Sequence, residues 1–268
     1  VFRIGFGLLV AFSSLRFLAR GWVDTLYLQP ENHLTYRWFE WVEPLPAPFM
    51  HLHMVGLAVL GLAISTGYRF RLATGLFLVG FAYTELIDAG LYLNHYWFVT
   101  LAGALLLLLP VHHHWSLDAR SGRVARSAAV PAAVVWALRS QLAAVYVFAG
   151  LAKFNGDWLM RAQPMQLWLA DRTGTPIIGG LFSLSGVAHA MSWAGAVFDC
   201  TIVVFLLWRR SRLVAYATLV GFHLMTGLLF QIGVFPIVMI VSTLIYFEPD
   251  WPQRLSRRSA TEVLPATP

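Results

Sequence analysis

The chain is divided into apolar stretches, each close to the length needed to cross a bilayer, about 17–25 residues of helix. Eight run roughly over 4–20, 49–66, 72–90, 95–111, 131–153, 189–208, 213–230 and 232–247. Lipid offers the backbone no hydrogen bonds, so unbroken apolar runs of this length must satisfy their own amides as helices. The expected fold is an all-α integral membrane protein, a bundle of about eight transmembrane helices with interfacial loops on the non-cytoplasmic side. Composition points the same way. Hydrophobic residues make up 58% of the chain and charged residues 12%, against about 25% charged in a soluble domain. A polar tail over 251–268 follows the membrane unit, which spans 1–250.

The net charge of +6 is no sign of nucleic-acid binding, because the arginines sit at the ends of apolar stretches. "YRFR" (68–71), "DARSGRVAR" (118–126), "RRSR" (209–212) and "RLSRR" (254–258) follow stretches two, four, six and eight. The loops between them are acidic, mixed or very short. Under the positive-inside rule this alternation puts both termini in the cytoplasm. The first apolar run reads as a retained span without a cleavage site, with a few residues expected ahead of Val1. Two outer connections are long. Residues 21–48 read as an aromatic interfacial cap with Trp22, Trp38 and Trp41 at headgroup level. Within 154–186, "PMQLWLAD" reads as a short interfacial or re-entrant helix. The single cysteine, Cys200, has no partner for an internal disulfide.

One of the 19 lysine and arginine residues is a lysine, Lys153, at the end of the fifth apolar run in "VYVFAGLAKFNGDWL" (145–159); all the others are arginine. Two readings are open. A lysine at a helix end can snorkel to the membrane surface. Alternatively, an amine can give up its proton in an apolar setting, which a guanidinium cannot do. Topology gathers Asp88, Asn94, His95 and Lys153 at outer helix ends, which predicts a shared cavity for Asn94, His95 and Lys153. Arg139, Tyr146 and Lys153 are seven apart and share a helix face; Arg139 also suits a place near the inner surface, and Tyr146 ordinary packing. Asp199 is the deepest carboxylate, and His223 lies in the outer half of the seventh stretch. "HHH" (112–114) reads as a titratable cluster at an inner helix end. No spacing calls for a metal.

"LIDAGLYLNHYWF" (86–98), "VYVFAGLAKFNGDWL" (145–159) and "FHLMTGLLFQIGVFPIVM" (222–239) together resemble the membrane domain of vitamin K-dependent γ-glutamyl carboxylases and the wider HTTM-like group of bacterial membrane proteins. The three motifs occur in family order, and the resemblance covers most of 1–250. It implies oxidation of vitamin K hydroquinone by O2 to the epoxide, coupled to addition of CO2 to a glutamate in a peptide or protein. It further implies that Lys153 is the base that deprotonates the hydroquinone and that His95 supports the same chemistry. Asn94, Asp88, Tyr146, His223 and Phe222 are the implied quinol-binding positions. Animal carboxylases carry two adjacent lysines where this chain has Ala152 and Lys153. The resemblance does not extend to the large extramembrane region that recognises the acceptor, so a separate recognition partner is expected. Two alternatives stand beside this reading: a different membrane quinone or haem oxidoreductase, and a non-enzymatic transporter or peptide-maturation partner.

Overall fold

A computed structural model describes residues 1–127, 129–230 and 232–253. The loop "RLSRR" and nearly all of the polar tail lie outside the described residues. Eight apolar helices occupy the eight expected stretches, with no strand among the described residues. They are α1 (Phe2–Ala19), α2 (Ala47–Thr66), α3 (Phe70–Ile87), α4 (Asn94–Leu108), α5 (Ala132–Leu151), α6 (Ser185–Leu207), α7 (Arg212–Leu229) and α8 (Phe235–Thr243). Six have the length and hydropathy to cross a membrane; α4 and α8 are shorter. α4 is cut short by Pro110, which forces the preceding Leu109 into an extended conformation. α8 starts late because Gly233, at φ +63°, turns the chain after α7, and Pro236 then sits in the first helical turn.

The outward faces are apolar. Leu8, Phe12 and Leu15 on α1, and Val197, Val204 and Phe205 on α6, are all exposed. Such continuous apolar bands would be a liability in water and are the normal surface of a bundle in lipid. Between helices in lipid the hydrophobic effect offers little drive, so close packing of small residues does the work. Gly7 and Ala11 of α1 lie against Gly61 and Ser65 of α2. A Cβ at Gly7 would strike the backbone of Gly61 and Ser65, and one at Gly61 would strike Gly7 and Ala11.

The arginine-rich loops 68–71, 118–126 and 209–212 gather at one end of the bundle, where arginines bind helix-terminal carbonyls. Buried Arg3 donates from Nη1 to Ile64 O at 2.6 Å and Ser65 O at 2.5 Å, and from Nη2 to Trp115 O at 2.5 Å. Asp118 completes the corner from the other side, accepting from Arg69 N at 2.9 Å and Phe70 N at 2.8 Å at the start of α3. Gly67, at φ +68°, makes the turn between them. Arg139 donates from Nε to Ile245 O and from Nη2 to Tyr246 O, both at 3.0 Å. Arg139 therefore closes the end of α8 and is not part of a polar stripe leading to Lys153. The long outer cap over 21–48 holds a π-helical turn at Asp24–Leu28 and is otherwise mostly irregular; Trp38 and Trp41 are exposed.

His112 departs from the expectation of a titratable cluster. It is buried and stacks on Phe70 with ring centroids 4.8 Å apart. Burial, followed by repulsion from His113 and Arg71, lowers its imidazole from 6.5 to about 4. A base whose folded pKa is depressed contributes stability in full above its unfolded value and loses it as pH falls toward the folded one. The stability of the protein in detergent should therefore fall between pH 6.5 and about 4. His112→Phe, which keeps the stack, should flatten that part of the thermal-midpoint profile. An unchanged slope would locate the acid sensitivity elsewhere.

Candidate functional site

α5 and α6 approach closely where Gly150 faces Cys200. A Cβ at Gly150 would stand 2.5 Å from Cys200 Sγ and 3.1 Å from its backbone nitrogen. That gap lets the end of α5 reach Asp199. Lys153 does not point outward to the surface. Its Nζ turns back one helical turn, donating to Ala149 O at 3.0 Å and to Asp199 Oδ2 at 2.5 Å. The amine also sits 5.1 Å from the Trp158 ring centroid, a cation–π position. Gly195 lies beside the aliphatic stem, with Cε 4.0 Å from where a Cβ would be, an ordinary van der Waals distance. The "AG..K" spacing thus has a physical reading. Ala149 supplies an acceptor, Gly150 admits the neighbouring helix, and Lys153 folds back onto both.

This ion pair lies in the wall of a cavity of about 890 Å³ formed by α5–α8 and the 154–184 segment. Tyr146, Phe222, His223 and Asn94 line the same cavity. Tyr146 Oη and His223 Nε2 are 2.8 Å apart, and both residues are buried. His223 Nδ1 has no hydrogen-bond partner among the described residues. Phe222 stacks on Phe198 at 3.9 Å. The cover includes the expected short helix at Met165–Ala170. Its Trp168 packs edge-on against Trp158 at 6.3 Å and meets Phe230 at 5.1 Å. Trp158 is fixed in turn by two bonds to α6: its Nε1 donates to Ser192 O at 2.8 Å, and Ser192 Oγ donates to its carbonyl at 2.5 Å.

Two of the residues grouped with Lys153 by topology lie elsewhere. His95 lines a smaller chamber between α1, α2, α3, α4 and α8. It contacts Phe235, ring centroids 5.2 Å apart, and Phe235 lies 5.9 Å from His223 on the cavity side. Successive residues of a helix diverge by about 100°, so Asn94 faces the large cavity and its neighbour His95 the small chamber. Asp88 lines neither. It fastens the outer cap: Oδ2 is 3.1 Å from His33 Nδ1, and Oδ1 accepts from Gly90 N at 2.7 Å and Leu34 N at 3.3 Å. The pairing of Asp199 with Lys153 was absent from the motifs. Its one sequence signal is a carboxylate in the middle of an apolar run, which calls for a partner.

Gly150 offers a direct test of this geometry. Gly150→Val should force α5 and α6 apart, at a cost of about 1–3 kcal/mol for overpacking. Because Lys153 is the single lysine, amine acylation followed by peptide mass spectrometry reads its protection directly. Lys153 should resist the reagent in the parent protein and react in the variant, with a lowered thermal midpoint. Equal reactivity in both would mean that the close helix approach does not hold the pair.

The HTTM domain family model matches residues 1–251. No solved structure matches the chain.

Proposed function

The chain belongs to the HTTM domain family, and from that premise we propose that it is a membrane enzyme of the vitamin K-dependent carboxylase type, oxidising a hydroquinone with O2 and coupling that oxidation to carboxylation of a peptide or protein glutamate. The observation that carries the proposal is the Lys153–Asp199 pair in the wall of a large cavity with aromatic lining. The residues fit such a ligand. A volume of about 890 Å³ is in the range of small-molecule sites, about 300–1,000 Å³. Tyr146, Trp158, Phe222 and Phe235 offer ring faces to a flat aromatic head. When bound, a hydroquinone supplies reducing equivalents to O2 and the resulting basicity that lets CO2 add at the γ-carbon of glutamate.

The chain's own task is to take a proton from the hydroquinone hydroxyl. Lys153 Nζ and Asp199 Oδ2 share a short contact of 2.5 Å, so the pair acts as one unit. Nζ receives the hydroxyl proton as its own passes to Oδ2, and an ammonium is left facing the oxygen anion. A guanidinium could hold the same carboxylate but would not relay the proton. Asn94 and the Tyr146–His223 pair offer hydrogen bonds farther along the cavity, and the unpartnered His223 Nδ1 is available to a bound oxygen. Trp158 and Trp168 limit water at the pair, which strengthens its electrostatics. By the positive-inside rule the arginine-rich end is cytoplasmic and the cavity opens toward the other side of the cell membrane. Recognition of the acceptor glutamate is assigned to a separate partner.

The assay is incubation of the protein in nanodiscs with vitamin K hydroquinone, O2 and labelled bicarbonate, with and without a glutamate peptide, measuring epoxide and fixed label separately. Lys153→Arg should fold normally, because arginine can keep the contact with Asp199. It should nevertheless lose epoxide formation by about 10²–10⁴-fold, the usual share of a positioned acid–base group. Asp199→Asn should lose a comparable factor. Full epoxide formation in Lys153→Arg would rule out the relay, and its absence in the parent protein would rule out the quinol reading itself.

A further inference from the structure

A second polar site exists outside the large cavity. Glu85, within α3, lines two spaces at once. On one side is the chamber that holds His95, a narrow space of about 60 Å³. On the other is an open groove whose wall includes Tyr36, Trp38, Tyr92 and Trp97. Glu85 makes no hydrogen bond or ion pair among the described residues, unlike Asp88, Asp118 and Asp199. A lone carboxyl in a membrane helix is costly to keep and points to a use. The groups around it are the hydroxyls of Tyr27, Tyr36 and Tyr96, His95 across the chamber, and Arg16 beyond Tyr96. Arg37, on the groove wall, lies over Trp38 at 4.7 Å.

The chamber is too small for a quinol ring with a tail, yet large enough for water. One water needs about 10–15 Å³ of such space and two to four polar partners. Glu85, Tyr96, His95 and Ser13 line it and can offer them. Across the far wall, Phe235 separates His95 from His223 and the large cavity.

We propose that Glu85 is a proton-exchange site linking the outer groove to His95. The carboxylate takes a proton from hydronium in the groove, which is left as water. The resulting acid gives it to water in the chamber, that water protonates an imidazole nitrogen of His95, and Glu85 returns to the carboxylate. No bond other than O–H and N–H changes, and nothing is oxidised. The proposal stands independently of the quinol reading, since it rests on two spaces meeting at one carboxyl.

The test uses the full chain in nanodiscs and no substrate. Dicyclohexylcarbodiimide reacts with protonated carboxyls in apolar surroundings, so an adduct mapped to Glu85 by mass spectrometry reports proton occupancy there. The adduct should form in the parent protein, weaken as pH rises, and be absent in Glu85→Gln. Solvent-deuterium exchange at the ring carbon of His95 should also be lost in Glu85→Gln, while exchange at His51, on the exposed start of α2, stays unchanged. Glu85→Asp should keep both signals. No adduct at Glu85 at any pH would overturn the site. An adduct with His95 exchange unaltered in Glu85→Gln would overturn the link.

Discussion

A lysine amine held against an aspartate inside an apolar bundle is the contact on which the candidate site depends. Bringing two such ions out of water costs several kcal/mol each, and their mutual attraction offsets this only with good geometry and further hydrogen bonds. The structure supplies both. Asp199 Oδ2 stands 2.5 Å from Nζ, Ala149 O accepts at 3.0 Å, and the Trp158 ring covers the ammonium. None of this is local to Lys153. It needs Gly150 to let α6 in and Ser192 to hold Trp158 in place. Replacing such a pair by apolar residues of similar volume is often neutral or stabilising, so stability alone is a poor account of it.

The opposite end of the bundle shows what a cation does when its job is structural. Arg3, Arg139 and Arg212 each spread their donors over two or more backbone carbonyls near helix ends. There the guanidinium's several donors satisfy acceptors that the helices leave open. Lysine would serve poorly in these places, because its three donors radiate from one atom. At the Asp199 contact a single amine meets one carboxylate and one carbonyl, with no fork of donors to spread. The chain's single lysine and these arginines thus make two different kinds of contact at two ends of the bundle.

Much of the architecture could be read from sequence, because in lipid a span must be both apolar and long, and this chain marks its ends with arginine and proline. α4 and α8 came out shorter than a full crossing for reasons also written locally, at Pro110 and Gly233. The site was less legible. "AG..K" located Lys153 but not its partner, because Asp199 is 46 residues away and the Gly150–Cys200 approach is a three-dimensional fact. Depth alone grouped His95 and Asp88 with the lysine. Depth carries no angular information, and a step of one residue rotates a side chain into the neighbouring space. Asp88 was diverted by His33, from a cap whose irregular path no periodicity foretells.

The direction of the Lys153 side chain sets it apart from a snorkelling lysine. A snorkelling lysine extends toward the headgroups to keep its charge in water. Here the side chain runs the other way, toward the middle of the bundle, and exchanges water for a carboxylate, a carbonyl and an indole face. An anchor would gain nothing from that route. The same comparison separates the two histidines flanking Phe235. His223 is buried against Tyr146 on the cavity side, whereas His95 faces a chamber that shares Glu85 with the outer groove. Phe235 thus stands between two spaces, the large cavity that holds the Lys153–Asp199 pair and the small chamber that holds His95. One aromatic ring at the start of α8 parts the two spaces there, so a ligand filling the cavity would meet the same ring that packs on His95.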